Sequence, residues 1–163
     1  MNAIVDVHLH PMCWKVLCRD NSFDGVAVTM QCSWQYKLFT SLLRRKDVTN
    51  ASDIRKDLSK TVLGKIYIKS HEAERYGQYI SIDRQALLND VLYNHERDII
   101  CSLVLSAKAS ELMNRSQAFD YFLEKRGLDP SLLDKENIKK YYSRNFRQFE
   151  DEYLIDLHKI ANK

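Results

Sequence analysis

Three side chains near the start of the chain have the types and the spacing of a metal site. Asp6, His8 and His10 stand at every second position. On a β-strand this spacing puts all three on one face, with successive Cα atoms of the set about 7 Å apart. Imidazole nitrogens bind zinc and similar divalent ions, and a nearby carboxylate serves as a ligand or orients the ring. The pattern predicts either a metal site or the polar face of a strand turned to solvent.

The octapeptide around these residues, Ile-Val-Asp-Val-His-Leu-His-Pro at positions 4–11, resembles the first strand of the amidohydrolases and related metal-dependent hydrolases. In those families the two histidines of the strand bind the catalytic metal. The resemblance implies that His8 and His10 are metal ligands beside Asp6. It also implies a divalent metal such as zinc as cofactor and a small metal-dependent hydrolase as function. The resemblance covers these eight residues, whereas barrels of that family are built from eight βα units.

A basic segment in the middle of the chain suggests a different chemistry. Residues 41–70 contain eight lysines and arginines against three aspartates, a net charge of +5, while the whole chain carries +3. A local positive field attracts the phosphates of a nucleic acid, although a solvated basic surface has the same composition. The candidate nucleic-acid-binding residues are Arg44, Arg45, Arg55, Lys56, Lys60, Lys65 and Lys69.

The elements expected around this segment have the order of a known DNA-binding fold. The 3.6-residue period of apolar side chains predicts a helix over 34–45 and a second over 52–63. Alternation on both sides of a polar stretch predicts a hairpin over 65–82. The order helix, helix, strand, strand resembles a winged-helix module, whose second helix enters the major groove. The tyrosines that could stack on bases or pack the hairpin are Tyr67, Tyr76 and Tyr79.

The remaining elements complete an α+β prediction. Alternating apolar residues predict an antiparallel meander of three strands, at 3–10, 13–18 and 26–31. The 3.6-residue period then predicts helices to the end of the chain, one from Asp83 and others at 96–112, 116–126 and 135–161. We therefore expect a small antiparallel sheet, made of the N-terminal meander and the hairpin near 65–82. This sheet packs on a C-terminal bundle of about four helices.

The last predicted helix, 135–161, has the longest apolar stripe. A helix of roughly 26 residues is about 39 Å long. The stripe either packs against the other helices or partly faces a protein partner or a second copy of the chain. Its residues, three or four positions apart, are Ile138, Tyr142, Phe146, Phe149, Tyr153, Leu157 and Ile160.

The composition limits the class of protein. Of the 163 residues, 45% are apolar and 29% are charged, which predicts a single globular domain over 1–163. No run approaches the roughly 18 consecutive apolar residues of a membrane span, and the N-terminus lacks the basic start of a signal peptide. The four cysteines are too few for the disulfide framework of a small secreted chain. We therefore expect a cytoplasmic protein with no membrane partner.

Binding is the function that these patterns favour. The Gly-rich phosphate loops, the Gly-x-Ser-x-Gly elbow and the His-Glu-x-x-His zinc motif are all missing from the sequence. We predict a small, non-enzymatic binding or regulatory protein that needs no cofactor and whose favoured ligand is nucleic acid. The alternatives are the metal-dependent hydrolase and an adaptor that binds protein through the helix at 135–161.

Overall fold

The computed structural model describes residues 2–17, 28–29, 34–45, 60–126, 135–152 and 159. Strands and helices both contribute, so the predicted α+β class is confirmed. None of the helices in these ranges combines the length and the apolar character that a bilayer-spanning segment needs. The chain forms two compact units, Met1–Tyr93 and Asn94–Lys163. The elements in chain order are β1 (Asn2–Leu9), α1 (Pro11–Leu17), β2 (Val28–Thr29), α2 (Trp34–Leu42), β3 (Val62–Lys69), α3 (Ser70–Tyr76), α4 (Ile82–Ala109), α5 (Arg115–Lys125) and α6 (Lys135–Asn145).

The sheet of the first unit has the strand order β1-β3-β2. β1 runs antiparallel to β3, with Asn2 opposite Lys69 and Leu9 opposite Val62. β2, the described part of the strand predicted at 26–31, runs parallel to β3. Parallel neighbours need a long crossover connection, and α2 lies within that connection. The sheet is therefore mixed, and its central strand is β3 instead of a member of an N-terminal meander.

Helices cover one face of this sheet. The alternation in β1 produces that face, because Val5 and Val7 are buried while Ile4 and Asp6 are exposed. The indole N–H of Trp14 donates to the Val62 carbonyl at 2.8 Å and ties α1 to β3. The core includes Val5, Val7 and Leu9 of β1, Ile66 and Ile68 of β3, Cys13 and Trp14 of α1, Phe39 and Leu42 of α2, and Leu88 and Leu92 of α4.

Two side-chain amides of α4 complete the outer edge of β1. Gln85 Oε1 accepts a hydrogen bond from the His8 N–H at 2.7 Å. Asn89 Oδ1 accepts one from the His10 N–H at 2.6 Å, and Asn89 Nδ2 donates to the His8 carbonyl at 3.1 Å. Gln85 and Asn89 are one helical turn apart, so both reach the same end of the strand. Because the backbone of His8 bonds to α4, its N–H and C=O point away from β3.

Residues 11–17 form a helix, so the strand predicted at 13–18 is wrong. Pro11 occupies the first helical position, where a missing N–H breaks no bond. The His10 Nδ1 accepts a hydrogen bond from the Met12 N–H at 3.2 Å and acts as the N-cap. Histidine is an uncommon N-cap, so the sequence gives no clear signal that a helix begins at Pro11.

The hairpin predicted at 65–82 is also wrong. β3 finds its antiparallel partner in β1, and α3 follows it directly. Tyr79 makes only an isolated bridge with Arg44, and α4 already begins at Ile82. Gly77 has a φ of +98°, and a Cβ there would lie 1.9 Å from the Arg44 carbonyl oxygen. Only glycine permits this close approach, which brings Tyr79 to its partner.

Without this hairpin, the described residues lack the wing that a winged-helix module would have. The helix predicted at 34–45 is confirmed over Trp34–Leu42. Of the helix predicted at 52–63, residues 52–59 lie outside the described residues, while Val62 and Leu63 belong to β3. A helix, α3, then stands where the second wing strand was expected. The order of elements therefore differs from that of a winged helix.

The second unit is helical over its described residues. The helices predicted from Asp83 and at 96–112 are one continuous α4, since neither glycine nor proline interrupts it. Glu96 is buried and lies where the second of the two predicted helices was expected to begin. Its carboxylate forms a bidentate ion pair with Arg126, which follows α5. An Asn114–Gln117 capping box starts α5. The buried apolar residues of the unit include Ile100, Cys101, Val104, Phe119, Leu123, Ile138 and Tyr142.

The long helix predicted at 135–161 is interrupted. α6 ends at Asn145, a turn covers 146–148, and a helical turn resumes at 149–152. The Tyr142 carbonyl accepts from the N–H groups of both Phe146 and Arg147, at 2.8 and 3.1 Å. After the turn, Glu150 accepts a hydrogen bond from the Tyr142 hydroxyl at 2.9 Å and pairs with Arg115 of α5. The apolar period survives this turn, which is why the sequence does not reveal it. The remainder of the prediction falls largely outside the described residues.

We expect Asn89→Ala to lower the free energy of unfolding of the first unit by about 1–2 kcal/mol, because two partly buried backbone groups lose their partner. Both tryptophans, Trp14 and Trp34, lie in this unit. Urea denaturation followed by tryptophan fluorescence therefore reports on it.

The matched control is Gln78→Ala, which removes an exposed side-chain amide from the same unit. Its effect should stay within about 0.5 kcal/mol, as for most surface substitutions. Equal effects of the two substitutions would contradict the edge-completing role of Asn89.

Candidate functional site

The face of the sheet opposite the helices carries members of both groups of residues predicted to do chemistry. We call this face the open face and define it by Ile4, Asp6 and His8 of β1 and Leu63, Lys65, Tyr67 and Lys69 of β3. In the register, Ile4 lies opposite Tyr67 and Asp6 opposite Lys65. These are non-hydrogen-bonded pairs, like that of His8, so their side chains approach closely. Ile4 is 47% exposed and Leu63 is 50% exposed, so the face is accessible to a ligand.

The central strand presents an alternating basic and aromatic row on the open face. Lys65 and Lys69 are exposed, and Tyr67 between them is half-buried. Their backbone neighbours Ile66 and Ile68 point into the core and are at most 1% exposed. The core thus fixes the orientation of the row, because a slip of one residue in register would bury the lysines.

The open face has an acidic residue as well as basic ones. Asp6 is exposed and lies directly across from Lys65 in the register. Its carboxylate lowers the positive potential at that end of the row, whereas Lys69 lies opposite the uncharged Asn2. Of the two lysines, Lys65 is therefore the one with a carboxylate directly across the strand pair.

The other predicted basic residues are only partly brought to this face. Lys60 is exposed in the turn before β3, close enough to affect the titration of His10. Arg44 and Arg45 are exposed, but Arg44 belongs to the bridge with Tyr79 and not to the sheet. Arg55 and Lys56 lie outside the described residues. Of the seven candidates, the structure aligns Lys65 and Lys69.

The predicted metal cluster is divided. Asp6 and His8 share the open face, but β1 ends at Leu9, and His10 caps α1 with its Nδ1. The His10 ring also packs edge-on against Tyr93, at 5.9 Å between centroids. Among the residues that the structure describes, no group of three or more His, Cys, Asp or Glu side chains is arranged to hold a metal ion. A metal site at Asp6, His8 and His10 stays a prediction without structural support.

The two described cysteines are not candidates for nucleophilic chemistry. Cys13 and Cys101 are free thiols, and both are buried. Burial raises the pKa of each thiol to about 12. A thiol with such a pKa carries almost no thiolate at neutral pH and is a poor nucleophile. Both residues pack as small apolar side chains.

The second unit contains a cavity beside the turn that interrupts the predicted last helix. It has a volume of about 470 Å³ and is open to solvent on one side. Phe146 and Phe149, both half-buried members of the predicted stripe, form one wall. The other wall is formed by Ser102, Leu105, Ser106 and Ala109 of α4 and by Ser110, which directly follows that helix. Because of this turn, Phe146 and Phe149 of the predicted stripe line a groove.

The sequence indicates the row of Lys65, Tyr67 and Lys69 only in part. The alternation of Lys-Ile-Tyr-Ile-Lys predicts that these three side chains share one face of a strand, but it does not reveal that Asp6 lies across from Lys65. Sequence reasoning missed the pair Gln85 and Asn89, four residues apart on α4 and beside the apolar Leu88 and Leu92. A polar pair with this spacing is a usable signal for an edge contact.

The titration of His10 gives a pH-dependent stability. Burial, and to a lesser degree the charge of Lys60, lowers the pKa of His10. The unfolded chain then binds the proton more readily, so stability is complete above the ordinary histidine pKa of about 6.5 and declines as the pH falls below it. We expect the free energy of unfolding to decrease between about pH 7 and pH 5.

The substitution His10→Asn tests this, because asparagine keeps a capping oxygen but does not titrate. Its free energy of unfolding should decrease less over the same pH range. His10→Ala, which removes the cap, should be less stable at both ends of the range. An unchanged pH dependence in His10→Asn would contradict the role given to His10.

Comparison with protein-family models, with curated proteins and with solved structures gave no match. The resemblance of residues 4–11 to a strand of the amidohydrolases therefore gains no support from a longer alignment. We therefore infer the function of this chain from the chemistry and the placement of its own residues.

Proposed function

We propose that the chain is a small, non-enzymatic nucleic-acid-binding protein with a regulatory role, and that its open face holds the ligand. The single observation that supports this best is the row of Lys65, Tyr67 and Lys69 on the exposed side of the central strand. Lysines supply phosphate contacts, which provide most of the affinity in non-specific binding. An aromatic ring between them offers a surface on which a base can stack.

The charge pattern suggests where the phosphates bind. Lys69 has no acidic residue opposite it in the register, whereas Lys65 faces Asp6. We therefore place the strongest phosphate contact at Lys69 and a weaker one at Lys65. Lys60, exposed before the start of β3, adds positive charge beyond the Lys65 end.

The remaining basic residues have a smaller part in the proposal. Arg44 and Arg45 are exposed and would strengthen the long-range attraction of a polyanion. Arg55 and Lys56 lie outside the described residues, so the proposal does not depend on them. A reducing, cytoplasmic location belongs to the proposal and is supported by the free thiols of Cys13 and Cys101.

We expect the double substitution Lys65→Ala/Lys69→Ala to weaken nucleic-acid binding and to reduce its dependence on salt. Each phosphate contact with a single strand contributes about 0.7 to the slope of log affinity against log salt concentration, so the slope should decrease by about 1.4. Fluorescence anisotropy with labelled oligonucleotides at several salt concentrations measures both quantities.

The matched control is Lys37→Ala/Lys140→Ala, which removes two exposed lysines from α2 and α6. α2 packs on the covered face of the sheet through Phe39, so Lys37 is remote from the open face. This control should keep the slope of the natural sequence. Equal losses in both double variants, or binding that does not vary with salt, would contradict the proposal.

A second candidate function, self-association through the helical segment at 135–152, is favoured by the cavity beside Phe146 and Phe149. Apolar side chains that line an open groove gain free energy when another surface covers them. A second copy of the chain is the partner that we propose for this groove.

Light scattering over a range of protein concentrations tests this candidate. The average molar mass should rise with concentration, and Phe149→Ser should abolish the rise because it removes a wall of the cavity. Tyr121→Ser, which removes a 41% exposed aromatic side chain of α5 outside the cavity, should behave like the natural sequence. A strict monomer at all concentrations would rule out the candidate.

A further inference from the structure

We propose that the ligand of the open face is a single-stranded nucleic acid, one of whose bases stacks on Tyr67. This inference rests on the proposed function and names the class of nucleic acid. It follows from the shape of the face, from the spacing of its charges and from its exposed apolar side chains.

The shape of the open face suits unpaired bases. The major groove of a duplex admits a helix or a two-stranded ribbon that projects from the protein. The row lies on the central strand β3, which pairs with β1 along its length and with β2 at Ile66 and Tyr67, so it does not project. A broad sheet face is instead a platform for bases that have left the stack, and only a single strand presents such bases.

The spacing of the row fits an extended strand. Side chains two residues apart on one face of a β-strand are about 6.6 Å apart, so Lys65 and Lys69 are separated by about 13 Å. Two phosphates of an extended backbone can reach these lysines while the base between them lies over Tyr67. A duplex holds its bases stacked and paired, and so it cannot make the middle contact.

The exposed apolar residues add a second reason. Ile4 lies directly opposite Tyr67, and Leu63 continues the row of β3 beyond Lys65. Both are about half exposed, which leaves apolar surface in water beside the tyrosine ring. A base that stacks on Tyr67 would cover part of Ile4 as well. The sugar-phosphate exterior of a duplex has no comparable apolar surface to offer.

Asp6 has a predictable effect on such a ligand. Its carboxylate lies opposite Lys65 and repels a phosphate bound there. Removal of this charge should therefore strengthen binding. Glu74, exposed on α3 and outside the open face, provides a charge-matched control.

The experiment measures the affinity of the full chain by fluorescence anisotropy. The probes are a mixed-sequence oligonucleotide of about 12 nucleotides, as single-stranded DNA, as single-stranded RNA and as a blunt DNA duplex. We expect at least one single strand to bind about tenfold more tightly than the duplex. Tyr67→Ala should weaken binding of that strand about 5- to 150-fold, the usual range for the loss of one stacked base, whereas Tyr67→Phe keeps the ring and should remain within about twofold.

The charge variants provide an arm that does not require substitution of Tyr67. Asp6→Asn should strengthen single-strand binding more than Glu74→Gln does. If Tyr67→Ala fails to fold, the affinity ratio of single strand to duplex and the two charge variants still test the inference.

The outcomes separate the inference from the proposed function. Equal affinity for duplex and single strand, with no effect of Tyr67→Ala, would overturn the inference and leave a nucleic-acid-binding protein. Equal effects of Asp6→Asn and Glu74→Gln would likewise remove the open face as the binding surface. Absence of binding to all three probes would overturn the proposed function itself.

Discussion

The first unit depends on the contact between the edge of β1 and the amides of α4. Gln85 and Asn89 bond to the backbone of His8 and His10 as a neighbouring strand would. They satisfy polar groups at an edge that would otherwise need water or a partner chain. The same contact holds α4 over the sheet, where Leu88 and Leu92 join its core. The same helix, α4, therefore buries the apolar side of β1 and satisfies the backbone groups at its edge.

This arrangement explains why the two faces of β3 differ so completely. Once α1, α2 and α4 cover one side, the period of two in a strand sends every second residue to the other. Ile66 and Ile68 belong to the core, while Lys65, Tyr67 and Lys69 form an exposed row. The stability of the strand comes from its covered face and leaves the composition of the open face unconstrained. Lysines and an aromatic ring on the open face are therefore available to bind a ligand, and their presence does not disturb the packing of the core.

The sequence predicts local patterns in this chain better than it predicts pairings. The alternation of β1 and the helix at 34–42 follow from periods of apolar residues, and so does the α+β class. The strand pairing does not, because the partner of β3 is β1 and no local signal marks a contact so distant in sequence. The break after α6 was missed because Phe146 and Phe149 keep the helical period. For Lys65, Tyr67 and Lys69 the alternation predicts a shared face, but their cross-strand neighbours Asp6 and Ile4 follow only from the pairing.

One face of β3 belongs to the core, and we propose that the other is the binding surface. A titration of isotope-labelled protein with a single-stranded oligonucleotide, monitored by the side-chain NMR signals, distinguishes the two faces. We expect the signals of Lys65, Tyr67 and Lys69 to change while those of Ile66 and Ile68 stay in place. Changes concentrated in α5 and α6, or no change on β3 at a ligand concentration that saturates binding, would contradict the proposal.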